Sequence, residues 1–138
     1  MRVIVFVKAT EDSERGAMPS SELIEAMGKY NEELINAGIM VGGDGLKPSS
    51  QGKRIAFDGA SRTVIDGPFA ETRELVAGFW IWEVKDMDEA VAWARRIPDT
   101  DGLHGEVEIR PVVTFEDFEN MTPELAAKEQ ALRDATEG

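Results

Sequence analysis

Asp66-Gly67-Pro68-Phe69-Ala70-Glu71-Thr72-Arg73-Glu74 leads, through Leu75, into the apolar run Val76 to Trp82. The first part reads as a tight turn, because Gly permits unusual backbone angles while Pro fixes its own φ and withholds a donor. The second part reads as a strand, dense in aromatic and β-branched residues and closed by Glu83-Val84-Lys85. Trp80 and Trp82 fall on one face of that strand, Phe79 and Ile81 on the other. A strand that is apolar on both faces must be covered on both.

Composition sets the bounds around this strand. The chain has 138 residues, within the range of about 100–200 that suits one domain. Its 27 acidic and 15 basic residues give a net charge of -12. Such a balance argues against nucleic acid or an anionic membrane surface as partner, since both need clustered Lys and Arg. The absence of cysteine excludes disulfides, thiolate chemistry and Cys-based zinc sites. Near the amino terminus, Val3-Ile4-Val5-Phe6-Val7 is too short for a signal-peptide core of about 7–15 residues or a membrane span of about 20. It reads as a buried strand, and a cytoplasmic location is expected.

The remaining elements follow in chain order. Ala9 to Ala17 is polar and reads as a loop long enough to line a cleft. Pro19-Ser20-Ser21-Glu22 announces a helix with hydroxyl caps and an acidic first turn, ended by Gly38. Its expected apolar stripe is Leu23, Ile24, Met27, Leu34 and Ile35, interrupted by Tyr30 and Asn31. Ile39-Met40-Val41 opens a second strand that runs into Gly42-Gly43-Asp44-Gly45. Lys53 to Phe57 and Arg62 to Ile65 form a hairpin around Asp58-Gly59. Asp86 and Glu89, at capping-box spacing, start a second helix with Met87, Ala90, Val91, Trp93, Ala94 and Ile97 inward, stopped by Pro98. Glu106 to Val113 alternates polar and apolar residues, as expected for a strand near an edge. Thr122-Pro123 begins a last helix, with Pro at its first position.

The order is strand, helix, strand, hairpin, strand, helix, strand, helix. Two βαβ-type halves with an inserted hairpin predict an α+β ferredoxin-like sandwich carrying a C-terminal helix. Both main helices then lie on one sheet face, and the apolar residues on the other face need a cover. A second copy of the chain is expected to supply it, giving a homodimer packed sheet to sheet.

The nine residues from Asp66 to Glu74 resemble the signature of the DGPF-domain proteins, a branch of the YCII-related family. Tyr30-Asn31-Glu32-Glu33-Leu34, Gly45-Leu46-Lys47-Pro48, Gly78-Phe79-Trp80, Trp93-Ala94-Arg95-Arg96-Ile97-Pro98 and Val107-Glu108-Ile109-Arg110-Pro111-Val112 resemble the same family, over roughly residues 2 to 114. The resemblance implies a ferredoxin-like subunit in a dimeric α/β-barrel, with residues 1–114 as the domain and 115–138 as a C-terminal helical extension. It also implies that some relatives act on chlorinated hydroxyquinones and that others accompany extracytoplasmic-function sigma factors, so association with a sigma factor is one implied partnership. The branch proposed to be enzymatic carries a His on the first helix, paired with an Asp as an acid–base dyad. This chain has Tyr30 and Asn31 there, and the dyad does not carry over.

Candidate residues each have a plainer reading. Asp66 could serve as an acid or base, or hold Gly67-Pro68 in shape as a turn residue. His104, beside Asp99 and Asp101, could titrate near neutrality as a second acid or base, or be a solvated loop histidine. Asp99-Thr100-Asp101-Gly102 lacks the further ligands of a calcium loop, so no metal is expected, and no cofactor either. The segment with Asp44 fits neither phosphate-binding fingerprint; its glycines suit a bulge or close backbone approach, and Asp44 itself remains a candidate ligand contact. Arg73 could clamp a carboxylate or form a surface ion pair. Tyr30 is a candidate to line a pocket, or a core tyrosine with its hydroxyl satisfied; Trp80 could face an aromatic ligand or pack in the core.

Three functions follow: a protein binding a small molecule in a cleft between helices and sheet, with a regulatory role; a cofactor-independent acid–base enzyme, lyase- or isomerase-like, on a small aromatic or carbonyl compound; and a dimeric scaffold.

Overall fold

The computed structural model describes residues 1–99 and 105–137, without the side chains of Arg73 and Glu137. Four strands form one antiparallel sheet: β1 (Arg2–Lys8), β2 (Met40–Gly45), β5 (Val76–Glu83) and β6 (Val107–Pro111), in the order β2-β5-β1-β6. Helices α2 (Ser21–Asn36) and α3 (Met87–Ala94) make the two crossovers. This is the ferredoxin-like sandwich that the element order predicts.

Period-two alternation decides which side chains meet the helices. β1 places Val3 opposite Trp82 and Val5 opposite Trp80, and these four join Tyr30, Leu34, Ile39, Val84 and Ala90 in the buried core. Their neighbours Ile4 and Phe6, opposite Ile81 and Phe79, lie on the other face and are half-buried. β6 is an edge strand, with Val107 and Ile109 against the core. Glu108 is on its outer face, 3.3 Å from Lys8.

Both helices start where side-chain oxygens are available for the first unpaired N–H groups. Ser20 accepts from Leu23 N, and Asp86 from Glu89 N. Gly38, with φ of 74°, follows α2 in the left-handed conformation that closes many helices. The stripe of α2 differs from the expected one. Leu34 is fully buried and Met27 packs on the core, but Ile24 and Ile35 are 57% and 60% exposed, and Tyr30 is inward. The spacing explains it: Leu23, Met27, Tyr30 and Leu34 recur at four, three and four residues, one continuous stripe, whereas Ile24 and Ile35 lie beside it.

Two further findings concern local structure. The polar segment read as a loop contains a one-turn helix, α1 (Glu11–Glu14), capped by Thr10 and Ser13 in a reciprocal pair. In β2 the glycines serve as expected at such positions. The register slips between Met40 and Gly42, leaving Val41 as a bulge, and a Cβ on Gly43 would meet the Phe79 carbonyl oxygen at 2.7 Å.

The hairpin is a separate two-stranded sheet, β3 (Lys53–Asp58) and β4 (Ser61–Asp66), turning at Gly59 with φ of 59°. All its residues are exposed. α4 (Pro123–Glu137) closes the chain, with Thr122 accepting from Leu125 N. Among the described residues no helix is long and apolar enough to cross a membrane.

Candidate functional site

The gap between helices and sheet is filled. Tyr30, 4% exposed, meets Trp80 and Trp93 edge-on at ring-centroid distances of 5.8 and 6.4 Å. Its hydroxyl donates to the Trp93 carbonyl oxygen at 2.6 Å, tying α2 to α3. Burial pushes its pKa upward, the nearby Arg96 cation opposing. Asn31 Oδ1 accepts from Trp80 Nε1 at 2.8 Å. The polar pair that interrupts the stripe of α2 therefore satisfies the chain's own hydrogen-bonding groups.

An open cleft of about 640 Å³ lies elsewhere, at the base of the hairpin. One wall is the connection from β2 to β3, residues 45–54, which includes a 3₁₀ turn at Ser49–Gln51. The opposite wall is Phe69 with Leu75 and Val76. Glu14 of α1 also lines it.

Ser49 joins these parts. Its N–H donates to Glu14 Oε2 at 2.9 Å and its hydroxyl donates to Glu14 Oε1. The same hydroxyl oxygen accepts from Phe69 N at 3.1 Å. Gly67 N donates to the Gly52 carbonyl oxygen at 3.0 Å. The Asp66–Glu74 turn, with a cis peptide bond at Gly67-Pro68, is thus clasped to a loop earlier in the chain and, through Ser49, to α1. Gly67 is required there, because a Cβ would sit 1.8 Å from the Ser49 carbonyl oxygen. Phe69 turns its ring under the Arg54 guanidinium, 3.8 Å from the ring centroid, a contact worth about 0.5–1 kcal/mol at an exposed site.

The cleft carries more positive than negative charge, in contrast to the acidic chain. Lys47, Lys53 and Arg54 line it against Glu14 alone. Lys53 Nζ is 2.5 Å from Asp66 Oδ1, directly across the hairpin. Lys47 and Arg54 have no acidic partner among the described residues.

The candidates from sequence scatter relative to this cleft. Asp66 is exposed at the end of β4, where its carboxylate holds Lys53. Asp44 is exposed and pairs in register with Phe79, on the sheet face away from the helices. Tyr30 and Trp80 are core residues that meet each other. His104 and the Arg73 side chain lie outside the described residues. Among the described residues no group of three or more His, Cys, Asp or Glu could hold a metal ion. Ser49 and Arg54 had no signal of their own, and Glu14 only that of the polar segment expected to line a cleft, since what unites the cleft is contact between segments 35 and 20 residues apart. Phe69 and Lys47 lie within the segments that carry the family resemblance, and that resemblance is the signal that marks them.

An uncharacterized protein of Rhizobium meliloti (strain 1021), R00369, is 31% identical over 70 residues, covering 51% of this chain and 56% of that protein. The chain therefore spans only about half the length of that curated relative. The solved structure of the 5-chloro-2-hydroxyhydroquinone dehydrochlorinase TftG from Burkholderia phenoliruptrix AC1100, in complex with 2,5-dihydroxybenzoquinone, matches with a TM-score of 0.48 at 17% identity, over 86% of this chain and all of that one. Residues 1–116 match the family model of the YCII-related domain. That match takes in every strand of the sheet, and the chain belongs to the YCII-related family.

Proposed function

We propose that this protein binds a small molecule in the cleft at the base of the hairpin. The observation that carries the reading is the Ser49 clasp. Three segments distant in sequence are tied by hydrogen bonds around an open volume, where a folding core would have been filled. A concave site with apolar walls and a few convergent polar groups is the usual form of a ligand site. Asp66, proposed from the sequence as an acid or base, faces Lys53 at the edge of this volume, so binding is the better-supported reading over acid–base turnover.

We also infer that a second copy covers the sheet face bearing Ile4, Phe6, Phe79 and Ile81, whose apolar side chains lie on the side of the sheet away from the helix-side core. Native mass spectrometry of protein purified from its own host reads both points. The expected species is a dimer carrying a retained small molecule. Replacement of Leu46 by Trp, which fills the cleft, is expected to abolish the retained mass and leave the dimer. Retention unchanged in Leu46→Trp would place the ligand elsewhere and overturn the reading.

A further inference from the structure

The geometry points to a specific ligand class for this cleft: a small amphiphilic carboxylate, with its anionic end on Arg54 and Lys47 and its apolar body against Leu46, Leu75 and Val76. The inference rests on the proposal that the cleft is a binding site, and adds the charge and shape of what it takes.

Charge comes first. Of the three cations at the cleft, Lys53 is engaged by Asp66. The Arg54 guanidinium has no hydrogen-bond acceptor among the described residues, and the Lys47 ammonium has no charged partner among them. Glu14 is the one acidic residue lining the cleft, and both its carboxylate oxygens are occupied by Ser49. Ser49 is neutral and leaves the Glu14 charge in place, so Arg54 and Lys47 against Glu14 leave one net positive charge, and a single negative charge is its complement.

Geometry narrows the anion. The Arg54 guanidinium sits over the Phe69 ring, and its N–H groups have no acceptor among the described residues, which leaves two of them to offer to a ligand. That fork matches a planar carboxylate bidentately. Phosphate would draw on backbone N–H groups as well. Here those of Ser49, Gln51, Gly52 and Phe69 are already spent on Glu14, Pro48, Ser49 and the Ser49 hydroxyl. The apolar side chains of Leu46, Leu75 and Val76 then offer a surface that inorganic phosphate could not use.

The test is an amide-resolved NMR titration of the full chain with benzoate, benzyl alcohol and inorganic phosphate, each on wild type, Arg54→Gln and Lys47→Gln. Benzoate is expected to shift the amides of Leu46, Lys47, Arg54 and Phe69, at least tenfold more tightly than either other probe. Arg54→Gln is expected to weaken benzoate tenfold or more, since charge-assisted bidentate pairs are the strong ones. Lys47, exposed and without a charged partner, keeps the test interpretable should Arg54→Gln lose stability. Equal binding of benzyl alcohol or of phosphate would overturn the carboxylate assignment while leaving the cleft a binding site. No response of the cleft amides to any probe would overturn both.

Discussion

Gly67 lies so close to Ser49 that a methyl group on its Cα would stand 1.8 Å from the Ser49 carbonyl oxygen. The obstacle is backbone, held in turn by Gly52 N at 2.9 Å, so it cannot swing aside as a side chain tip would. Gly67→Ala is therefore expected to destabilise the protein by about 3 kcal/mol, the top of the common range for single substitutions, and to open the clasp. Gly28→Ala is the control. That glycine is exposed in the middle of α2, with nothing within 4 Å of the place a Cβ would take, and the change is expected to stabilise by about 1 kcal/mol. Chemical denaturation of the two variants checks both signs.

Removal of the Ser49 hydroxyl tests the clasp without steric damage. Ser49→Ala leaves the Phe69 N–H and one Glu14 oxygen without their partner at a half-buried site. A loss of about 1–2 kcal/mol is expected, because stranded polar groups cost more than the bond they made. Glu14→Gln keeps one of the two acceptor oxygens and turns an NH2 group toward the other Ser49 donor, so it is expected to cost about as much. No measurable loss in Ser49→Ala would show that the Ser49 hydroxyl contributes nothing to the clasp.

The two tryptophans of β5 are expected to respond differently. Trp80 Nε1 is bonded to Asn31, whereas Trp82 Nε1 is fully buried with no partner among the described residues. Trp→Phe opens a similar gap at either site. At Trp80 it also strands the Asn31 carbonyl oxygen, while at Trp82 it removes an unsatisfied donor. Trp82→Phe should therefore cost about 1 kcal/mol less than Trp80→Phe in denaturant midpoint comparisons.

The sheet was legible in the sequence because its strands carry unusually clear alternation and its helices carry explicit caps. Val3 and Val5 against Trp80 and Trp82 follow from period two alone. Where expectation and structure part, local pattern competed with geometry. Ile24 and Ile35 are apolar but lie one residue off the inward stripe, so hydrophobicity misled where spacing would have corrected it. The cleft was beyond reach for a different reason. Phe69 stands in the signature segment and Glu14 in the segment expected to line a cleft, but their meeting at Ser49 is a three-way contact that no local pattern announces.

Ile81 and Phe79 test the proposed sheet-face dimer. Neither contributes to the helix-side core, so Ile81→Asp should leave the subunit folded and far-ultraviolet circular dichroism unchanged. A charge in a sheet-to-sheet interface would be desolvated without a partner, and the assembly is expected to dissociate to a monomer by light scattering. A wild-type protein that is already monomeric, at the concentrations where the variant is measured, would refute the sheet-face dimer.

Tyr30 gives a pH dependence with a definite sign. It is the chain's one tyrosine, and burial raises its pKa above the ordinary 10.0. Above about pH 10 the unfolded chain ionises this hydroxyl, while the folded chain keeps it protonated and donating to the Trp93 carbonyl. The unfolded state then binds fewer protons than the native state, so stability falls as pH rises. The contribution is fully present below about pH 10 and is lost above it, at up to about 1.4 kcal/mol per pH unit. Phenolate absorbance should accordingly stay silent in the native protein and appear together with unfolding. Tyr30→Phe removes one hydrogen bond, about 1 kcal/mol, and the Trp93 carbonyl keeps its contact with Arg96 N. The variant should be slightly less stable at neutral pH and show a shallower decline at alkaline pH. Phenolate absorbance that titrates near the ordinary value of 10.0 in the folded protein would show the hydroxyl free of both its burial and its partner.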